Sequence, residues 1–138
     1  CGISALYRFT KVTAEDVDRG PDGEGYWHND KCALAHTRLG IIGLMNSNQP
    51  LYNKDKSLIL ICNGEIYNYI ELRQQLQSKG YEFVSDSDCE VILHLYSEYG
   101  YQCLDYLRGP FAFALYDSKN DTLFVARDRV GEKTLYYT

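Results

Sequence analysis

The sequence predicts an α+β domain dominated by antiparallel strands. Residues 57–62 form a run apolar on both faces, as in a strand buried from both sides. Residues 111–116 and 122–127 read as two strands joined by Asp117-Ser118-Lys119-Asn120-Asp121, a hairpin signature. Between these strands lie two segments with helix start signals and glycine stops. With 138 residues and 45% hydrophobic side chains, the chain has the length of one domain and enough apolar mass for a core.

From the N-terminus, Ile3, Ala5, Tyr7 and Phe9 alternate with Gly2, Ser4, Leu6 and Arg8, a strand that starts beside Cys1. Residues 10–25 are polar and end in Arg19-Gly20-Pro21-Asp22-Gly23-Glu24-Gly25, a shaped loop. Residues 31–38 read as strand, 39–45 as a close-packed turn or broken strand, and 46–56 as loop. The buried strand 57–62 stops at Asn63-Gly64. Asn68 with Glu71 and Ser87 with Glu90 match capping boxes. They predict a helix near 69–79 and a second carrying Val91, Ile92, Leu95, Tyr96 and Tyr99 on one stripe. Residues 81–84 read as strand, 102–107 as a short helix, 128–133 as a turn and 134–137 as a last strand. The chain has no internal repeat and no linker.

A net charge of −5 and a pI near 5.1 argue against nucleic acid or an anionic membrane surface as partner. No apolar run approaches the ~20 residues of a membrane span, and the first residues are no signal peptide; cytoplasm is the expected location. Cysteines stand at 1, 32, 62, 89 and 103, an odd count with no C-x-x-C spacing, which argues against a zinc site or a disulfide framework. The last four are expected as small buried hydrophobes in a reducing compartment. His28, His36 and His94 have no metal-ligand spacing, and no phosphate-binding loop of the Walker type appears.

Cys1 combines a thiol with an α-amine. Reference pKa values of about 8.5 and about 7.7–8.0 put both near neutrality, and an N-terminal amine is an established partner for a covalent nucleophile. Attack on an amide carbon needs fixed donors for the oxyanion. Asn63-Gly64, at the end of a buried strand, offers a side-chain N–H₂ and a backbone N–H, and equally reads as a turn. An amino-acid substrate would want a bidentate Arg for its carboxylate and an acid for its ammonium. Arg38 and Asp88 are candidates that spacing alone does not select over other charges.

An ordered set of motifs selects among these. It comprises Cys1-Gly2-Ile3, Arg19-Gly20-Pro21-Asp22, Ala35-His36-Thr37-Arg38-Leu39 and Gln49-Pro50-Leu51-Tyr52-Asn53. It continues with Asn63-Gly64-Glu65-Ile66-Tyr67-Asn68, Ser87-Asp88-Cys89-Glu90-Val91-Ile92, Phe111-Ala112-Phe113-Ala114-Leu115-Tyr116-Asp117 and Ala126-Arg127-Asp128-Arg129-Val130-Gly131. By these, the chain resembles the glutamine amidotransferase domain of class II (N-terminal nucleophile) enzymes, most nearly that of glutamine-hydrolysing asparagine synthetases. The resemblance implies a four-layer αββα sandwich of two antiparallel sheets, the Ntn-hydrolase type. Residues 10–18 are too short for both a connector and the helix that usually precedes Arg19, so either that helix is trimmed here or a disordered stretch is missing between residues 10 and 18. The resemblance implies a domain over 1–138 that is incomplete at its C-terminal end and lacks the synthetase domain.

The resemblance also implies site roles. Cys1 would be the nucleophile, Asn63 and Gly64 the oxyanion hole, and Arg38 the binder of the glutamine α-carboxylate. Asp88 with Glu65 would hold the α-ammonium, and Leu39, Ile41 and Ile42 would line the pocket. Glutamine would be hydrolysed to glutamate and ammonia, and the ammonia used for ATP-dependent amidation of aspartate to asparagine. Neither cofactor nor metal is expected in this domain; ATP and Mg would serve the synthetase domain or subunit that partners it, and homodimerisation fits the same reading. Two alternatives are amination of another carboxylate, such as a sugar acid in polysaccharide synthesis, and a catalytically silent glutaminase-like module.

Overall fold

A computed structural model describes residues 2–7, 24–37 and 48–131. Strands β1 (Gly2–Tyr7), β2 (Glu24–His28) and β3 (Cys32–Thr37) form an antiparallel sheet in the order β1-β3-β2. Strands β4 (Leu51–Tyr52), β5 (Leu58–Gly64), β6 (Phe111–Asp117) and β7 (Thr122–Arg127) form a second antiparallel sheet in chain order. Helices α1 (Tyr69–Ser78) and α2 (Glu90–Tyr99), with a 3-10 helix at Gly100–Tyr106, lie between β5 and β6 in sequence.

The parity of β5 and β6 builds the layers. Leu58, Leu60 and Cys62, with Phe111, Phe113 and Leu115, pack under Leu72 and Leu76 of α1 and Val91, Ile92 and Leu95 of α2. Ile59 and Ile61, with Ala114 and Tyr116, face Cys32 and Leu34 of the other sheet, and Ile3, Tyr7 and Trp27 pack against the same cluster. Both central strands are thus apolar on both faces, as the run at 57–62 predicts. The result is an α+β sandwich with three layers among the described residues: helices, four-stranded sheet, three-stranded sheet. The expectation of a trimmed outer helix at 10–18, the reading of 39–45 and the strand at 134–137 lie outside the described residues.

Several local expectations are corrected. Strand β5 runs through Asn63-Gly64 rather than stopping before them. Strands β2 and β4 fall partly or wholly in stretches that read as loop, because β2 opens on Glu24-Gly25 of the glycine-rich loop and β4 is only two residues long. Residues 81–84 form no strand. Their alternation is real, with Tyr81 and Phe83 half-buried and Glu82 and Val84 exposed, but the rings pack on His94 of α2 at 5.5 and 4.4 Å. Neither capping box closes. Asn68 makes no cap bond to α1; its side chain donates to the Tyr106 carbonyl (2.8 Å) and accepts from Arg108 N–H (3.1 Å), tying α1 to the end of the 3-10 helix.

Glu90 is the first residue of α2, and its carboxylate reaches back past Ser87. It accepts from Val84 N–H (2.8 Å), from Ser85 N–H (2.7 Å) and from the Ser85 hydroxyl, and contacts His94 Nε2 at 3.3 Å. Burial alone would raise its pKa; the bonds from His94, Ser85 and Val84 outweigh burial and hold it below the ordinary carboxylate value. The four free cysteines among the described residues, Cys32, Cys62, Cys89 and Cys103, are all buried. No described helix is long and apolar enough to cross a membrane.

Because the folded-state pKa of Glu90 is depressed, its stabilisation is fully present above the unfolded-state value and is lost as pH falls through the folded one. Glu90→Gln should lower stability at pH 7 by about 1.5–3 kcal/mol, the worth of hydrogen bonds to a charged group. It should also flatten the fall in stability below pH ~4.5. Urea midpoints of both proteins across that range test this.

Candidate active site

The end of β5 is where structural pairing gives way to exposed polar groups. Ser118 N–H donates to Ser57 carbonyl (2.9 Å) and Glu65 N–H to Pro110 carbonyl (2.8 Å). With the β5–β6 register, this makes residues 57, 59, 61, 63 and 65 the ones that bond to β6. Even-numbered residues point to the other edge. There Leu58 bonds to Asn53 through both its N–H and its carbonyl, and Leu60 pairs with Leu51 of β4. The Asn63 carbonyl therefore faces β6. The Gly64 N–H, in the same peptide plane and opposed to that carbonyl, faces the edge away from β6. The Asn63 side chain shares the inter-sheet face with Ile59 and Ile61 by strand alternation.

Gly64 has φ +140°, and a Cβ there would overlap the Pro110 carbonyl. Gly109, at φ +125°, is pressed in the same way against the Glu65 carbonyl. Beyond Gly64, Tyr67 N–H donates to Arg108 carbonyl (2.7 Å). The turn after β5 is thus held by the 108–110 segment leading into β6, and it is a backbone lock that only glycine fits.

Asp88 comes to this turn from the segment before α2. Its Oδ2 accepts from Ile66 N–H at 2.7 Å, two residues past Gly64, and the side chain is half-buried. Glu65 is exposed beside it. The buried Cys89 thiol packs in the same core cluster as Cys62, and this neighbour together with burial pushes its pKa well up. Cys62 precedes Asn63 and Cys89 follows Asp88, so the thiol pair joins the two candidate site segments.

Strand β1 packs on the inter-sheet face of β5 and β6 through Ile3 and Tyr7. Its last residue, Tyr7, donates to Asp121 Oδ2 (3.3 Å) in the β6–β7 hairpin, at the Ser57 end of β5. Its first residues therefore lie toward Asn63. Ile3 pairs with His36, and His36 with Gly25. A Cβ on Gly25 would overlap the Gln49 carbonyl, and the Gln49 side chain bonds to Cys62. The next row is Gly2 paired with Thr37. Gly2 follows Cys1 in the chain, and Thr37 precedes Arg38.

The described structure thus brings together Asn63, Gly64, Glu65 and Asp88. Cys1, Arg38, Leu39, Ile41 and Ile42 lie outside the described residues. An open cleft of about 720 Å³, lined by Asn53, Ser57, Tyr81, His94 and Asp117, lies at the opposite end of β5. Two lysines at that cleft are paired, Lys54 with Glu82 (3.0 Å) and Lys119 with Asp55 (2.8 Å). Among the described residues no group of three His, Cys, Asp or Glu side chains is placed to hold a metal. Sequence reasoning missed Pro110 and Gly109 as the lock on Gly64. It met Gln49 only inside a motif, without a role; the signal was an amide just ahead of a short edge strand.

The chain matches the glutamine amidotransferase domain family over residues 1–138 and belongs to that family. It is 48% identical to an asparagine synthetase [glutamine-hydrolyzing] of Bacillus subtilis, covering 88% of this chain and 19% of that protein. It is 50% identical to one of Sandersonia aurantiaca, covering 99% and 28%. Among solved structures, the glutamine phosphoribosylpyrophosphate amidotransferase of B. subtilis superposes with a TM-score of 0.57 at 32% identity, over 72% of this chain and 23% of that one. The chain spans about a fifth to just over a quarter of the length of these curated relatives.

Gly64→Ala should displace the Glu65–Pro110 contact and the turn after β5. We expect a lowered thermal midpoint, with loss of glutaminase activity at temperatures where the variant is still folded; circular dichroism and glutamate release measure both.

Proposed function

We propose that this domain hydrolyses glutamine to glutamate and ammonia, with Cys1 as nucleophile. The observation that carries the reading is the end of β5. The Gly64 N–H faces the edge away from β6 and Asn63 lies on the inter-sheet face by strand alternation; the bond of Tyr7 at the end of β1 to Asp121, at the opposite end of β5, supports an approach of the start of β1 to these donors. In this mechanism the Cys1 thiolate attacks the side-chain amide carbon, and the oxyanion is received by Asn63 Nδ2 and Gly64 N–H. The thiol proton passes by way of the α-amine to the departing ammonia. Water then cleaves the γ-glutamyl thioester through a second oxyanion at the same donors, releasing glutamate and restoring the thiol.

Arg38 holds the substrate α-carboxylate as a planar fork. Asp88 and Glu65 hold the α-ammonium. Since Oδ2 of Asp88 is engaged by Ile66 N–H, its contact with the ammonium falls to Oδ1. Leu39, Ile41 and Ile42 line the pocket. Identity near 50% to proteins named as glutamine-hydrolysing asparagine synthetases supports aspartate as the acceptor of the ammonia. Activation of aspartate by ATP and magnesium is assigned to the remainder of a longer polypeptide or to a partner subunit.

Cys1→Ala should abolish glutamate release. An electrophilic glutamine analogue should alkylate Cys1 once and spare the buried Cys32, Cys62, Cys89 and Cys103. Labelling elsewhere, or hydrolysis surviving Cys1→Ala, would overturn the mechanism. In the full-length protein, ATP and aspartate should turn glutamine into asparagine; amination of a different carboxylate would overturn the acceptor alone.

A further inference from the structure

We propose that Gln49 is a positioning residue for the oxyanion site; this rests on the reading of Asn63 and Gly64 given above. The Gln49 carboxamide brackets the backbone of one residue: Oε1 accepts from Cys62 N–H at 2.6 Å, and Nε2 donates to Cys62 carbonyl at 2.9 Å. It does at Cys62 what a neighbouring strand does elsewhere on β5. Along that edge Asn53 serves Leu58 and Leu51 pairs with Leu60. Strand β4 begins at Leu51, so on its N-terminal side the next pairing position is filled by a side chain, and the one after it is the Gly64 N–H.

Two consequences follow for the donors. The Cys62 carbonyl and the Asn63 N–H belong to one peptide plane, so fixing that carbonyl fixes the plane from which the Asn63 side chain projects. An amide, unlike a continued strand, ends the ladder after one pair and leaves the edge at Gly64 to a substrate oxygen. The anchor of Gln49 is itself set, because its carbonyl sits against Gly25, where any side chain would overlap it. Gln49 therefore links β2, β5 and the oxyanion donors, and it acts through Cys62 rather than by touching substrate.

The test uses the protein expressed at its full natural length, with two variants of similar volume. Gln49→Leu removes both bonds, and Gln49→Glu keeps the acceptor while placing a carboxylate oxygen against the Cys62 carbonyl. Displacements of the order of 1 Å in a site cost up to ~10²-fold. We expect kcat for glutamine hydrolysis to fall about 10- to 100-fold in both variants, with KM within about twofold. Alkylation of Cys1 by iodoacetamide, which needs no oxyanion donor, should stay at the wild-type rate. A kcat within twofold of wild type in either variant would overturn the proposal. So would a fall in kcat matched by an equal fall in Cys1 alkylation or an equal rise in KM. A wild-type protein that releases no glutamate overturns the glutaminase reading and this proposal together, whereas an active, Cys1-dependent wild type with unaffected variants overturns only the role of Gln49.

Discussion

The pairing of β5 with β6 is the constraint to which everything else is fitted. Both strands are apolar on both faces, so neither is stable until a layer covers each side: α1 and α2 on one, the β1-β3-β2 sheet on the other. Burial of this kind favours folding by roughly 25 cal/mol per Å² of apolar surface. It fixes parity as well, since a slip of one residue would exchange Leu60 and Cys62 with Ile59 and Ile61. The same parity sends the Asn63 side chain between the sheets and the Gly64 N–H to the open edge.

The two sheets are also fastened by polar contacts at both ends of β5. At the far end Tyr116 donates to Asp121 Oδ1 (2.6 Å), while Tyr7 and Lys31 reach Asp121 Oδ2 at 3.3 and 3.1 Å. These partners, the Tyr116 hydroxyl foremost, hold the Asp121 carboxyl below its ordinary pKa. Desolvation and this carboxylate push Tyr116 up to about 12. At the near end the link runs from Gly25 through Gln49 to Cys62. The near end also carries the outward Gly64 N–H, Asn63 and the Asp88 carboxylate, the groups proposed above to meet an amide substrate.

Much of this was legible in the residues. The doubly apolar run marked β5, the Asp117–Asp121 loop marked the β6–β7 hairpin, and the stripe from Val91 to Tyr99 marked α2. Short-range signals failed where a side chain took a distant partner. Asn68 and Glu90 look like capping residues but bond to the 105–108 region and to Val84 and Ser85. Tyr81 and Phe83 alternate like a strand but lie on a helix. At the site, Asn63-Gly64 was readable as a polar strand end. The lock from Gly109 and Pro110 was not, because it joins segments more than forty residues apart.

The central claim is that the β5 terminus supplies donors that matter most when the oxyanion forms. Its most direct test is the kinetics of Asn63→Ala with glutamine. The account predicts a fall in kcat of about 10²–10³, equivalent to about 2.7–4 kcal/mol of transition-state stabilisation, with KM close to wild type. An unchanged kcat, or a KM that rises as far as kcat falls, would contradict it.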